Sequence, residues 1–311
     1  MGRHHCRPIQ FVSSLVGCVV SHHTLFIGNR YIIYWMIPPC CIRYSDGVPM
    51  KFDKVLVPVD GSPISDIATE IAINSAKMFG TSLTFLNVVD FSSNQEYGKI
   101  SNVDLILQLQ TEGLEAIDKV AVKAKEAGIP YDTKITEGVP WEVIVKLSKK
   151  YDQIIIGVTG KGNAGNGRIG ENVKNIVEKS YCPVLTIKSG SRRLEDILLP
   201  VSNKNMAAIN LAIETEKRTG GKITVLAVKD SIVDAESIAY EVAAHCKDSG
   251  VDATVKIADG DPARAIIAQS GMFDLVIMGT MTLGKGDVLH GGVTEDIILN
   301  AACPVTVVRD Y

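Results

Sequence analysis

Gly157, Gly160 and Gly170 carry the spacing in this chain that points most directly to chemistry. They lie in the run Ile154-Ile155-Ile156-Gly157-Val158-Thr159-Gly160, continued by Lys161-Gly162-Asn163-Ala164-Gly165-Asn166-Gly167-Arg168-Ile169-Gly170. The apolar β-branched opening reads as a buried parallel strand. A glycine-dense loop follows, and then Val173, Ile176 and Val177 recur at helical spacing. Strand, glycine loop and helix start together bring free backbone N–H groups and the positive end of a helix dipole to one point. Both favour an anion, so the chemistry expected there is phosphate binding. Glycine richness alone would equally describe a surface loop. A second candidate is Asp60, which follows the strand Val55-Leu56-Val57-Pro58-Val59. Taken singly, an Asp in that position is more often a turn or helix-start residue than a ligand contact.

Other chemistries fare worse. His245 and His290 have no Cys or carboxylate neighbours at metal-ligand spacing, so a solvent-exposed imidazole is expected at each. There is no Gly-x-Ser-x-Gly elbow and no Gly-Lys-Ser/Thr phosphate loop. Cys182 and Cys303 each precede a proline at a strand start, where a buried small thiol is expected rather than a nucleophile. Trp141 shares a helix face with Ile144 and Leu147 and reads as core.

The elements that must position the glycine loop and Asp60 follow in order. Ser62-Pro63 is a helix N-cap with proline at the first position, and Gly80 ends that helix. Strands are expected at Ser82–Val89, Thr133–Thr136, Gln153–Gly157 and Val184–Ile187. Helices are expected at Val103–Ala127, from Pro140, and from Gly170 to near Tyr181, with a polar loop over residues 91–102. After the short link Ser189–Arg193 the order repeats. Ile197-Leu198-Leu199-Pro200-Val201 mirrors Val55–Val59, and Ile223–Val228 mirrors Leu83–Val88. Gly260-Asp261-Pro262 mirrors Gly138-Val139-Pro140, Val276-Ile277-Met278-Gly279 mirrors Ile154–Gly157, and Cys303-Pro304-Val305 mirrors Cys182-Pro183-Val184. Strands alternating with helices imply right-handed βαβ units, so the fold class is α/β, with two tandem doubly wound parallel five-stranded sheets. Such a sheet binds ligands where its winding reverses. If the fourth strand lies beside the first, on the side away from the second, the Asp60 turn and the Gly157–Gly170 loop meet there.

Bulk properties narrow the classes. A composition of 46% hydrophobic and 22% charged residues is that of a soluble globular protein. Residues 1–49 carry four arginines against Asp46 alone, +3, which leaves −6 for the remainder of a chain whose total is −3. An acidic body without a basic stripe argues against nucleic acid as the main partner. No apolar run is long enough to cross a membrane. Four of the seven cysteines and four of the six histidines fall in residues 1–49. Leu15-Val16-Gly17-Cys18 resembles a lipoprotein cleavage box, but Met50-Lys51-Phe52-Asp53-Lys54 runs straight into a strand. The extension 1–49 is therefore expected to be non-native or mis-assigned, with domains at 50–188 and 194–311. Cys182, Cys246 and Cys303 lie far apart in the body, which suits a reducing, cytoplasmic compartment.

The pattern G-x2-G-x9-G, with Val-Pro-Val-Asp-Gly-Ser at the first strand, Val-Val-Asp after the second and Cys-Pro-Val before the fifth, resembles the universal stress protein family. Both copies share the resemblance, from Lys51 to about Arg309. It implies a Rossmann-like fold of the adenine-nucleotide alpha hydrolase kind and an ATP site, with or without Mg²⁺, in a regulatory or stress-response protein. The residues matching those that surround adenine and ribose in nucleotide-binding members are Pro58, Val59, Asp60 and Val88. Those matching the ribose and phosphate contacts are Ile156, Gly157, Thr159, Gly160, Gly170, Glu171 and Asn172. The resemblance further implies pairing of the two copies through Val184–Ile187 and Val305–Val308 as an internal pseudo-dimer, and leaves a homodimer open. Two positions depart from the family. Glu171 replaces the Ser or Thr that usually follows the last glycine, and Thr159 replaces a frequent His. Copy two departs further, with Ser202 in place of Asp60 and a loop that lacks the second glycine, and is expected to be structural. The alternatives are a scaffold of the same fold that binds no nucleotide and a slow ATPase. No convincing general base supports the latter.

Overall fold

The computed structural model describes residues 22–27, 30–35, 52–91, 103–160, 168–188, 193–202, 204–229, 234–280 and 292–309. The loop expected at 91–102 therefore falls almost wholly outside the described residues, as do positions 161–167 of the glycine loop and His290. Within the N-terminal extension, β1 (His22–Ile27) and β2 (Arg30–Trp35) pair antiparallel, an element the sequence reading did not anticipate.

The first copy is built on β3 (Lys54–Pro58), where Val55, Leu56 and Val57 are all buried. A strand with neighbours on both faces has no polar side to show, and this one has helices on each. Ser62 caps α1 (Pro63–Phe79), its Oγ accepting from the Ser65 N–H at 3.2 Å. Gly80 ends the helix in the left-handed region at φ 67°, where a Cβ would be strained. β4 (Ser82–Val89), α2 (Val103–Glu126), β5 (Tyr131–Glu137), α3 (Pro140–Ser148), β6 (Gln153–Gly157), α4 (Glu171–Lys179) and β7 (Val184–Ile187) complete the copy. The second copy repeats it with β8 (Asp196–Val201), α5 (Met206–Thr219), β9 (Lys222–Lys229), α6 (Ala235–Asp248), β10 (Ala253–Asp259), α7 (Pro262–Ser270), β11 (Leu275–Gly279), α8 (Val293–Asn300) and β12 (Val305–Val308).

Each copy contributes five strands, in the orders β5-β4-β3-β6-β7 and β10-β9-β8-β11-β12. β6 lies beside β3 on the side away from β4, so the winding reverses between β3 and β6 as expected. The two sets are not separate sheets. β7 and β12 pair antiparallel, Thr186 opposite Val305 and Val307 opposite Val184, to give one ten-stranded sheet. The hydroxyl of buried Thr186 donates to the Val305 carbonyl across this junction at 2.9 Å. An apolar edge strand left bare would invite aggregation, and each copy covers the other's.

The core has two layers. Val55, Val57, Phe85 and Leu185 pack under α1, α2, α5 and α6, whereas Leu56, Ile154, Ile156 and Val184 pack under α3, α4, α7 and α8. Both layers run through the junction. Arg218 of α5 also reaches into copy one, its guanidinium 5.2 Å from the centre of the Phe52 ring and its Nη1 donating to the Phe79 carbonyl at 3.4 Å. Two sequence expectations are adjusted. Trp141 is half-buried rather than enclosed, with the Lys179 ammonium 4.1 Å above its ring. His245 is half-buried near the end of α6 rather than fully exposed.

Candidate functional site

At the end of β3 the Val59 N–H continues the ladder to the Leu86 carbonyl at 2.8 Å, and the chain then turns through Asp60. Gly61 supplies φ 76° for that turn. Asp60 is fixed in two ways. Its Oδ1 accepts from the Ser62 N–H at 3.0 Å, and its own N–H donates to Ser65 Oγ at 3.3 Å. Its other carboxylate oxygen points at Gly160, where a Cβ would stand 2.7 Å from Oδ2. The Asp60 turn and the glycine loop therefore touch, and only a glycine permits so close an approach.

The loop is tied at both ends. Val158 donates to the Ile187 carbonyl at 2.8 Å, and Gly170 donates back to the Val158 carbonyl at 3.0 Å. Gly170 is the N-cap of α4 and offers no side-chain oxygen. The N–H groups of Glu171, Asn172 and Val173 belong to the first helical turn, which has no intrahelical acceptors for them. Glu171, Asn172 and Val173 line the cleft, which places the positive end of the helix dipole at its wall. Gly157 serves a packing need as well, because a Cβ there would lie 2.6 Å from Ile64 Cγ2 in the first turn of α1.

All eleven residues singled out in the sequence (Pro58, Val59, Asp60, Val88, Ile156, Gly157, Thr159, Gly160, Gly170, Glu171 and Asn172) line one cleft of about 290 Å³. Sequence reasoning missed Ser65, Leu86, Pro140, Ile144 and Val173, which line it too. The period-2 pattern signals Leu86, which shares the face of β4 that carries Val88. Helical spacing signals Ile144, one turn beyond Pro140. Asn87, on the opposite face of β4, supports the site from behind. Its Nδ2 donates to the Val59 carbonyl at 2.8 Å, and Gly113 of α2 leaves room for its amide.

Chemically the cleft has an apolar slot (Pro58, Leu86, Val88, Pro140, Ile144, Ile156) leading to a cradle of backbone N–H groups. A flat ring with an attached anion suits that arrangement. Two carboxylates flank it, Asp60 and Glu171, and the described lining holds no lysine or arginine. The Glu171 carboxylate stands at the rim, where Asn175 Nδ2 donates to its Oε1 at 3.1 Å and to its backbone carbonyl at 3.0 Å. Among the described residues no group of three or more His, Cys, Asp or Glu could hold a metal by itself.

The equivalent cleft of copy two shrinks to about 50 Å³, between Pro200, Val201, Leu226, Val228, Pro262, Ile266 and Met278. Asn205 fills part of it. It caps α5 by accepting from the Ala208 N–H at 2.8 Å, its Nδ2 donates to the Val308 carbonyl at 3.3 Å, and it packs directly on Gly279.

A sequence profile of the universal stress protein family matches residues 51–188 and 233–309. The chain belongs to the universal stress protein family. A universal stress protein of Methanocaldococcus jannaschii is 36% identical over 140 residues, covering 44% of this chain and 82% of that one. A universal stress protein of Mycobacterium tuberculosis is 24% identical over 296 residues, covering 84% of this chain and 98% of its own, so that both copies are represented. The crystal structure of a universal stress protein from Archaeoglobus fulgidus superposes with a TM-score of 0.71 at 22% identity, covering 84% of this chain and 97% of that one. That likeness establishes the shared fold of the family. No described helix is long and apolar enough to cross a membrane.

Proposed function

We propose that this universal stress protein binds one adenine nucleotide, ATP or another of that class, in the cleft of its first copy and acts as a regulator rather than a catalyst. The observation that carries the reading is the contrast between copies: an open cleft of about 290 Å³ with Asp60 beside Gly160, against about 50 Å³ with Asn205 packed in. The apolar slot accepts the base, the Asp60 turn the ribose, and the N–H groups at the start of α4 the phosphate. The nucleotide supplies charge and shape to be sensed, and the residues present bind and orient it. Domain limits at 50–188 and 194–311, and a cytoplasmic setting consistent with buried Cys182, Cys246 and Cys303 forming no disulfide among the described residues, belong to the same reading.

Calorimetric titration of the full chain with AMP and ATP tests it. A stoichiometry near one is expected, lost in Asp60→Ala and kept in Ser202→Ala. Two sites per chain, or the reverse pattern of loss, would overturn the assignment.

A further inference from the structure

The cleft of the first copy is unusual in what flanks its anion cradle. Glu171 is the first residue of α4, so its carboxylate lies at the positive end of the helix that a phosphate would use. Asn175 holds that carboxylate at the rim at 3.1 Å, so it is kept in place beside the first turn. Across the cleft the Asp60 carboxylate faces Gly160. A nucleotide whose base fills the slot at Pro58 and Val88 therefore meets N–H donors with its first phosphate and a carboxylate with whatever extends beyond it. We propose that the site selects for a single phosphate, and that Glu171 is the residue that sets the limit. The inference rests on the nucleotide reading above and narrows its ligand class to nucleoside monophosphates.

The physical reason is charge. Each further phosphate adds negative charge without adding a cation among the described lining residues. Glu171 is exposed, so its repulsion is screened and is of the order seen between surface charges rather than buried ones. The selectivity is accordingly moderate and salt-dependent. A divalent cation bridging the carboxylates and a polyphosphate would cancel it, so it is expressed in the absence of such cations.

The test is calorimetric titration of the full chain with AMP and with ATP, in EDTA and low salt, on the wild type and on Glu171→Gln. The substitution keeps the shape of the side chain and removes its charge at an exposed helix end, where folding is little affected. The wild type should bind AMP more tightly than ATP by about three- to ten-fold. Glu171→Gln should tighten ATP by a similar about three- to ten-fold factor and leave AMP within about two-fold. Half-molar salt should narrow the wild-type gap. ATP binding as tightly as AMP in the wild type, or an equal response of both nucleotides to Glu171→Gln, would overturn the inference and leave the nucleotide site standing. Failure of both proteins to bind either nucleotide would overturn the parent reading and this one with it.

Discussion

The contact between Gly160 and Asp60 allows a prediction that separates packing from binding. A Cβ added at Gly160 would sit 2.7 Å from Asp60 Oδ2, and ordinary contact begins at 3.4 Å, so the carboxylate must retreat by about 0.7 Å. That movement pulls Oδ1 from its 3.0 Å bond with the N–H of Ser62, the residue that caps α1. A hydrogen bond to a charged acceptor contributes about 1.5–3 kcal/mol, and weakening rather than losing it places the cost of Gly160→Ala near about 1 kcal/mol. For a chain of this size that lowers Tm by roughly 2–4 °C. The methyl and the displaced carboxylate also enter the cleft proposed to take a nucleotide, so AMP affinity should fall by at least about ten-fold, which is about 1.4 kcal/mol. Among the described residues only Asp60 lies within 4 Å of that Cβ, and the φ of Gly160 is outside the left-handed range. In an Asp60→Ala background the same substitution should therefore be neutral or stabilising by about 0.4–1 kcal/mol, through the reduced entropy of the unfolded chain. Urea denaturation of the four proteins in the cycle, with calorimetry of AMP on the wild type and Gly160→Ala, measures both. Equal costs of Gly160→Ala in the two backgrounds would refute the reasoning.

Two further outcomes follow from the core. Leu185 is 2% exposed and belongs to the core layer at the junction that also holds Phe52, Leu194 and Leu211. Leu185→Ala should cost about 2–5 kcal/mol, a Tm loss of roughly 4–20 °C. The loss should appear in one transition shared by both copies, and two separating transitions in calorimetry would show that the copies unfold independently. Burial pushes the thiols of Cys246 and Cys303 from the ordinary 9.0 up to about 11, so the native state holds those protons longer than the unfolded chain does. Their contribution is complete below about pH 9 and is lost as pH rises toward 11, because the unfolded state ionises first. Thermal melts of the wild type and of Cys246→Ala/Cys303→Ala between pH 8 and pH 11 should converge with rising pH, and parallel curves would contradict this.

The parts of the fold legible in the sequence are those where burial is two-sided. β4, β6 and β7 lie where their apolar runs put them, because a strand covered on both faces has to be apolar throughout. β5 is an edge strand, exposed over most of its length, and Tyr131-Asp132 after Pro130 reads as loop until pairing with β4 extends it. Hydrogen bonds between residues distant in sequence were not legible either. Ser148 Oγ accepts from the Tyr181 N–H at 2.9 Å, and Ser270 Oγ accepts from the Ala302 N–H at 2.9 Å. The repeat of that bond is as regular as that of the strands, yet a serine at a helix end has no pattern that announces it. At the cleft, the eleven residues named from the resemblance share one wall because the motifs that carry it, the strand-one turn and the glycine loop, are local in sequence and meet where the winding reverses. Pro140 and Ile144 were missed because they reach the cleft from a helix whose packing only the fold determines.

The two copies show how one frame holds or gives up a cavity. Most of the cleft wall in copy one has a counterpart in copy two: Pro58 and Pro200, Val88 and Val228, Pro140 and Pro262, Gly157 and Gly279. The divergence is concentrated at the start of one helix. In copy one the cap is Ser62, too short to reach the strand ends, and Asp60 is left beside the glycine loop. In copy two the cap is Asn205, whose longer amide both caps α5 and bonds the Val308 carbonyl of β12. A cap contributes about 0.5–2 kcal/mol, and a filled space removes a cavity term of about 24 cal/mol per Å³. Copy two thus takes the arrangement that favours stability alone. Copy one forgoes that filling with the same fold at hand, and a retained cavity lined by Asp60, Gly160 and the start of α4 is what a ligand site requires.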